Sequence, residues 1–294
     1  MPPEFAPRPA PARPAPVVRP VAEPISSAPQ APALVLPPEV VAACEKADWA
    51  TLEGLAGACT CCSMAKSRQH VVFAEGGPGM RIALVGEAPG SEEDLQGIPF
   101  VGKSGQLLTQ MLESIGIERR RDIAIMNVLK CRPPGNRNPA PAEVACCATY
   151  LRRQLLLVRP DVLLIMGRFA MQTLLGLGPD ASIGSQRGRV HEVTIGDFGT
   201  KAVVSYHPSY LLRAPDEKAK AWEDLTLFRR LIREAGIKLA PVHHTLTTRT
   251  GCFPNGAKTP KKPSSSSWAR AGGNIVNDEQ QRGPGRRVAG PHSL

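Results

Sequence analysis

Nowhere in the 294 residues does an apolar run approach the ~20 residues of a membrane span. The first residues also lack the apolar core of a secretory signal. These two absences exclude a helical membrane protein and point away from export. They place the chain in a reducing cytoplasm, where eight cysteines suggest metal binding or catalysis ahead of disulfides. No internal repeat is present, so an array architecture is not expected.

The ends of the chain lack what a core needs. Residues 1–38 hold thirteen prolines and few aromatics, so burial cannot offset their ordering entropy. From residue 239 onward a Ser, Gly, Pro and Arg mixture runs without periodicity. Both stretches, 1–38 and 239–294, read as disordered tails. Residues 39–238 remain as one domain, long enough to bury a proper core.

The formal charge of +10 is unevenly spread. Eight basic residues against two acids lie after residue 238, three against two lie before residue 39, and the middle keeps +3. That balance admits a nucleic-acid partner without requiring one.

Four short apolar runs punctuate the middle: "RIALVGEAP", "DIAIMNVLK", "DVLLIMGRF" and "KAVVSYHPS". Near-continuous runs of this kind are strands covered on both faces of a parallel sheet. Helical patterns alternate with them, among them "GQLLTQMLESIG", "PAEVACCATYLRRQLLLVRP" and "EKAKAWEDLTLFRRLIREAG". The expected fold is therefore α/β, a three-layer α/β/α arrangement with a central, mainly parallel four-stranded sheet. Ligands bind at the carboxyl ends of such strands. Those ends carry "GEAPGSEEDLQGIPFVG", "NVLKC", "GRF" and "HPSYLLR", groups that a core does not need.

Cys59 and Cys62 stand in C-x2-C spacing, and Cys131 and Cys147 are separated by fifteen residues. Two such pairs close a tetrahedral thiolate set for zinc or hold an iron–sulfur cluster, and spacing alone does not separate the two. Nor does it separate Cys147 from Cys146, or Cys61 from its neighbours. Cys44, Cys146 and Cys252 read as small buried hydrophobes.

The motifs "GEAPGSEEDLQGIPFVGKSGQLL", "NVLKCRPPGNRNP" and "HPSYLLR", in this order, closely resemble the family 4 uracil-DNA glycosylases, the iron–sulfur branch of the uracil-DNA glycosylase superfamily. The resemblance runs from about Cys59 to Arg233. It implies a [4Fe–4S] cluster on Cys59, Cys62, Cys131 and Cys147 that braces the fold without doing the chemistry. Ser63 departs from the apolar or proline residue often found there, and Cys61 and Cys146 are extra thiols.

The implied activity is excision of uracil from single- or double-stranded DNA by a monomer, leaving an abasic site for base excision repair. Phe100 would stack on the base, and Asn127 would read its edge, since an amide both donates and accepts. Glu87 would line the pocket, His207 would face uracil O2, and Glu93 would position the water. Ala88 stands where the best-studied branch has its water-activating aspartate, and Gly90 where that branch has a tyrosine excluding thymine. Leu211 or Leu212 would wedge into the space left by the base, with Arg213 on phosphate. Lys103, Lys130, Arg132 and Arg137 are further candidates for phosphate contact. Two other readings stay open: a related glycosylase for other deaminated bases, and a metal-braced nucleic-acid binding module.

Overall fold

Five strands form one sheet in the computed structural model, which describes residues 36–242. They are β1 (Ile82–Gly86), β2 (Ile123–Asn127), β3 (Val162–Met166), β4 (Val190–Ile195) and β5 (Phe198–Ser205), in the order β2-β1-β3-β5-β4. β1 runs parallel to β2 and β3, β3 parallel to β5, and β4 antiparallel to β5. The sheet thus has one strand more than the four expected. β4 escaped because it is an edge, buried only at Val193 and Ile195, and so has no continuous apolar run. The disorder expected of residues 1–38 and 239–294 falls almost wholly outside the described residues.

The helices are α1 (Pro38–Lys46), α2 (Trp49–Gly57), α3 (Ser91–Gln96), α4 (Lys103–Ser114), α5 (Arg119–Asp122), α6 (Pro141–Val158), α7 (Arg168–Leu175), α8 (Ile183–Gln186), α9 (Pro208–Arg213) and α10 (Lys218–Glu234). Alternation along each strand divides the core between them. Ile82 and Leu84 of β1 face Leu108 and Leu112 of α4 and Phe228 of α10. Ala83 and Val85 face Leu151 and Leu155 of α6 and Met171 of α7. Each fully buried aliphatic side chain contributes about 1.5–3 kcal/mol, which is why β1, β2 and β3 are apolar on both faces. α1 and α2 add a smaller cluster against α6, centred on Leu52, Phe73 and Tyr150. Among the described residues no helix is long and apolar enough to cross a membrane.

One buried ion pair fixes the end of β5. Asp224 of α10 is fully buried and accepts from Ser205 Oγ (3.0 Å), Gly188 N (3.0 Å) and Arg187 Nε (3.1 Å). Burial raises its carboxyl pKa above the usual range, opposed by the Arg187 guanidinium and the hydrogen bonds. The chain leaves this anchor directly into Tyr206 and His207.

Candidate functional site

Asn127, the last residue of β2, is 1 % exposed in a strand otherwise wholly apolar. Its side-chain oxygen, Oδ1, has no hydrogen-bond partner in the protein. An unmade bond of that kind costs about 1–3 kcal/mol, so this position opposes stability and asks for a ligand. Gly86 pairs with it across the sheet. A Cβ at Gly86 would sit 2.5 Å from Asn127 Oδ1 and 2.4 Å from Phe100 Cζ. The absence of a side chain there lets the amide and the ring meet.

Phe100 is 5 % exposed and holds a left-handed backbone, φ +55°, uncommon for a bulky residue. Its ring stacks toward that of His207, with centroids 5.4 Å apart and planes inclined by 30°. His207 caps α9: its Nδ1 accepts from the Ser209 main-chain N–H (3.2 Å) and lies 2.8 Å from Ser209 Oγ. An accepting Nδ1 leaves the ring proton on Nε2. Desolvation pushes the His207 pKa below its usual value; Glu87 and Glu93 oppose this, and Arg213 adds to it. The ring is therefore a neutral donor at neutral pH.

These three side chains, with Glu87, Ala88, Gly90, Glu93 and Arg213, line a cavity of about 370 Å³ at the carboxyl end of the sheet. Pro133, Asn136 and Asn138 from the loop after β2 line it as well. Glu87 Oε1 accepts from Phe169 N at 3.0 Å. Glu93 is more heavily engaged. Its Oε1 accepts from Val101 N and Gly102 N, both 2.9 Å, and its Oε2 from Gly90 N at 3.0 Å. The carboxylate joins the start of α3 to the loop bearing Phe100, and one lone pair of Oε2 is left for any other partner.

The other predicted contacts divide sharply. Leu211 is 1 % exposed and belongs to the core with α4, so it has no freedom to wedge; Leu212 is 44 % exposed. Arg213 and Lys103 are exposed, as a phosphate contact requires. Arg132 donates through Nε to Asn136 Oδ1 (2.8 Å). Arg137 grips Glu143 with both arms of its fork, at 2.6 and 2.8 Å. Lys130 is not a surface contact at all. It is 2 % exposed, and its Nζ donates to Asn127 O at 2.6 Å. Burial pushes its pKa down to about 7, while Cys147 and Cys131 nearby act to raise it.

Of the four cysteines predicted as ligands, Cys131 and Cys147 lie near Lys130, with Cys62 near both of them and Cys59 near Cys131. Cys59 and Cys62 bracket the turn that follows α2, Cys131 follows β2, and Cys147 lies on α6; all four are free thiols. Each lies within electrostatic reach of at least one other. Burial pushes the Cys147 thiol up to about 12, and raises Cys62 and Cys131 as well. Arg68 Nη1 donates to Cys131 Sγ (3.4 Å) and to Cys59 O (2.8 Å). Among the described residues, no three His, Cys, Asp or Glu side chains form a ready-made metal cage. The donor set still fits an iron–sulfur cluster: four thiols from three segments, with the Arg68 guanidinium donating to one of them. Cys61 and Cys146 are joined as a disulfide, so Cys146 is not the bland buried thiol expected. Cys44 is buried, as expected, and Cys252 lies outside the described residues.

The family model of the Uracil DNA glycosylase superfamily matches residues 73–226. The type-4 uracil-DNA glycosylase of Archaeoglobus fulgidus is 46% identical over 159 residues, 53% of this chain and 79% of the relative. That of Thermotoga maritima is 41% identical over 180 residues, 60% of this chain and 91% of the relative. A type-5 uracil-DNA glycosylase of Pyrobaculum aerophilum is 30% identical over 145 residues, 45% of this chain and 62% of the relative.

Proposed function

The chain belongs to the uracil-DNA glycosylase superfamily, and from that premise we propose that it is an iron–sulfur uracil-DNA glycosylase of the type-4 kind. It draws uracil out of DNA, hydrolyses the N-glycosidic bond and leaves an abasic site. The observation that carries this reading is the buried, unpartnered Asn127 Oδ1 facing a cavity that Phe100 and His207 also line.

A base must leave the stack before its glycosidic bond is accessible. Once in the cavity it lies on Phe100. Asn127 Oδ1 accepts from uracil N3–H, and the amide N–H donates to O4. Cytosine offers an acceptor and a donor in the reverse order, so both contacts fail, at about 1–3 kcal/mol each. His207 donates from Nε2 to uracil O2. As the C1′–N1 bond breaks, its electron pair moves onto the base, and this donor meets the growing charge. A donor placed this way is worth roughly 3–4 kcal/mol. Water then adds at C1′ and gives up a proton. The open lone pair of Glu93 Oε2 is the acceptor offered to that water, while the rest of the carboxylate holds Gly90 and Val101–Gly102 in place.

Cys59, Cys62, Cys131 and Cys147 would hold a [4Fe–4S] cluster, which supplies a brace and no step of the reaction. Lys130 joins that region to the pocket, since it follows Asn127 by three residues and its Nζ holds the Asn127 carbonyl. On the DNA side, Leu212 fills the space left by the base and Arg213 takes phosphate. The small basic excess of the core suits a protein reading mainly the backbone, with salt-sensitive affinity.

The test uses the full chain and a labelled single-stranded oligonucleotide with one uracil, followed by alkali to cleave abasic sites. Thymine, cytosine and hypoxanthine oligonucleotides run beside it. Cleavage at uracil alone supports the reading. Cleavage at hypoxanthine in its place points to another deaminated base, and binding without cleavage points to a nucleic-acid binding module.

A further inference from the structure

Phe100 needs outside help to keep its left-handed backbone, and one side chain is built to give it. Arg119, the first residue of α5, is nearly buried, with 11 % of its side chain exposed. Its Nη1 donates to Phe100 O at 2.6 Å, and its Nη2 donates to Pro99 O. One planar guanidinium therefore holds two successive carbonyls of the turn that carries the ring. Nη1 also reaches Thr109 Oγ1 (3.3 Å) on α4.

The other end of the fork is anchored as firmly. Arg119 Nε donates to Glu75 Oε2 at 2.7 Å. Glu75 in turn exchanges both main-chain hydrogen bonds with Ile125 of β2, at 2.8 and 2.9 Å. Ile125 stands two residues before Asn127. Gly105 of α4 also lies so close that a Cβ would sit 1.7 Å from Phe100 O. The carbonyl thus meets both a glycine that must stay bare and a guanidinium that donates to it.

We infer that Arg119, seated on Glu75, is a positioning residue that sets the stacking face of Phe100 in register with the reading edge of Asn127. It touches neither base nor sugar and acts on the reaction only through Phe100. This inference rests on the functional reading above, in which Phe100 stacks on the extracted base. An arginine suits the task where a lysine does not, because only the planar fork reaches two carbonyls and a carboxylate at once.

The experiment is a double-mutant cycle on single-turnover excision of uracil from single-stranded DNA, with thermal unfolding of every protein. Arg119→Met is expected to lower excision about tenfold in the wild-type background. In a Phe100→Ala background the same change should alter excision less than about twofold, since no ring remains to be set. Arg119→Lys keeps the ion pair with Glu75 but loses the two-carbonyl grip. It serves where the methionine variant does not fold, and the same coupling is expected. Equal losses in both backgrounds, tracking the loss of thermal stability, would reduce Arg119 to a structural residue and overturn the inference. So would unchanged excision. A wild-type protein that does not excise uracil removes the functional reading first, and this inference with it.

Discussion

Phe100 and His207 come from segments more than a hundred residues apart, yet their rings lie 5.4 Å apart on one cavity wall. Neither is free to leave. Phe100 is held by its carbonyl through Arg119, and His207 by its own Nδ1 at the start of α9. The chemistry expected of the site follows from two rings whose orientation is set before any ligand arrives.

His207→Ala should lower uracil excision by a factor of roughly 10²–10³, as for loss of one preorganised donor. The thermal midpoint should move little, because the ring caps only one short helix. Single-turnover rates with parallel melting curves check this; unchanged rates would remove His207 from the mechanism.

The pH profile carries a sign. Burial lowers the His207 pKa, so the neutral donor persists at pH values where an exposed histidine has already been protonated. Excision should stay level as pH falls through the ordinary histidine value and decline only below it. Over the same window the unfolded chain takes up its proton before the folded one, so stability falls as pH falls. A kcat profile for wild type against His207→Gln separates this limb from others, since the variant should lack it.

Asn127→Asp should lower uracil excision and narrow the ratio between uracil and cytosine. The carboxylate loses the N–H that meets O4 while keeping an acceptor for N3–H. Competition between uracil and cytosine oligonucleotides measures it, and an unaltered ratio would contradict the reading role.

Leu211→Ala and Leu212→Ala should part company. The first empties a core position and should cost about 2–5 kcal/mol of stability. The second removes an exposed side chain and should leave stability within about 0.5 kcal/mol. Leu212→Ala should still slow excision from duplex more than from single-stranded DNA. Urea unfolding and paired substrates distinguish the two.

Cys131→Ser should abolish the brown chromophore of an iron–sulfur protein and lower the thermal midpoint. Cys44→Ser, on a buried thiol outside the four, should leave the chromophore intact. Visible absorption and iron content of the purified variants decide it, and a colourless wild type bearing zinc would replace the cluster with a zinc site.

Much of this was legible in the sequence, and the parts that were not have physical reasons. β1, β2 and β3 were readable because burial on both faces demands unbroken apolar runs. β4 alternates instead and sits at an edge, joined to β5 through Gly196 at φ +60°. Asn127, Phe100 and His207 were named because the motifs that carry them, at or after strand ends, resemble those of a known family, and the fold brings all three to one cavity. The same logic misassigned Lys130: a lysine after a strand looks like a phosphate contact, and only the folded chain turns it inward onto the Asn127 carbonyl. The two leucines of "SYLLR" differ only in which side of a single helical turn they occupy. Arg119 was hidden in a run of three arginines, where nothing local marks which member turns inward, whereas Glu93 was singled out of its acidic run beside the resemblance.

Gly86 also limits how this pocket could change over time. Every single-base change to a glycine codon that does not end the chain or preserve glycine adds a Cβ, and here that carbon would strike both Phe100 and Asn127. No one-step neighbour of this residue in the genetic code leaves the ring and the amide where they are. A descendant of this chain that came to accept a larger base would have to begin elsewhere, since a Cβ at Gly90 would in turn strike Glu93 Oε2 at 2.8 Å, and reach any change at Gly86 last.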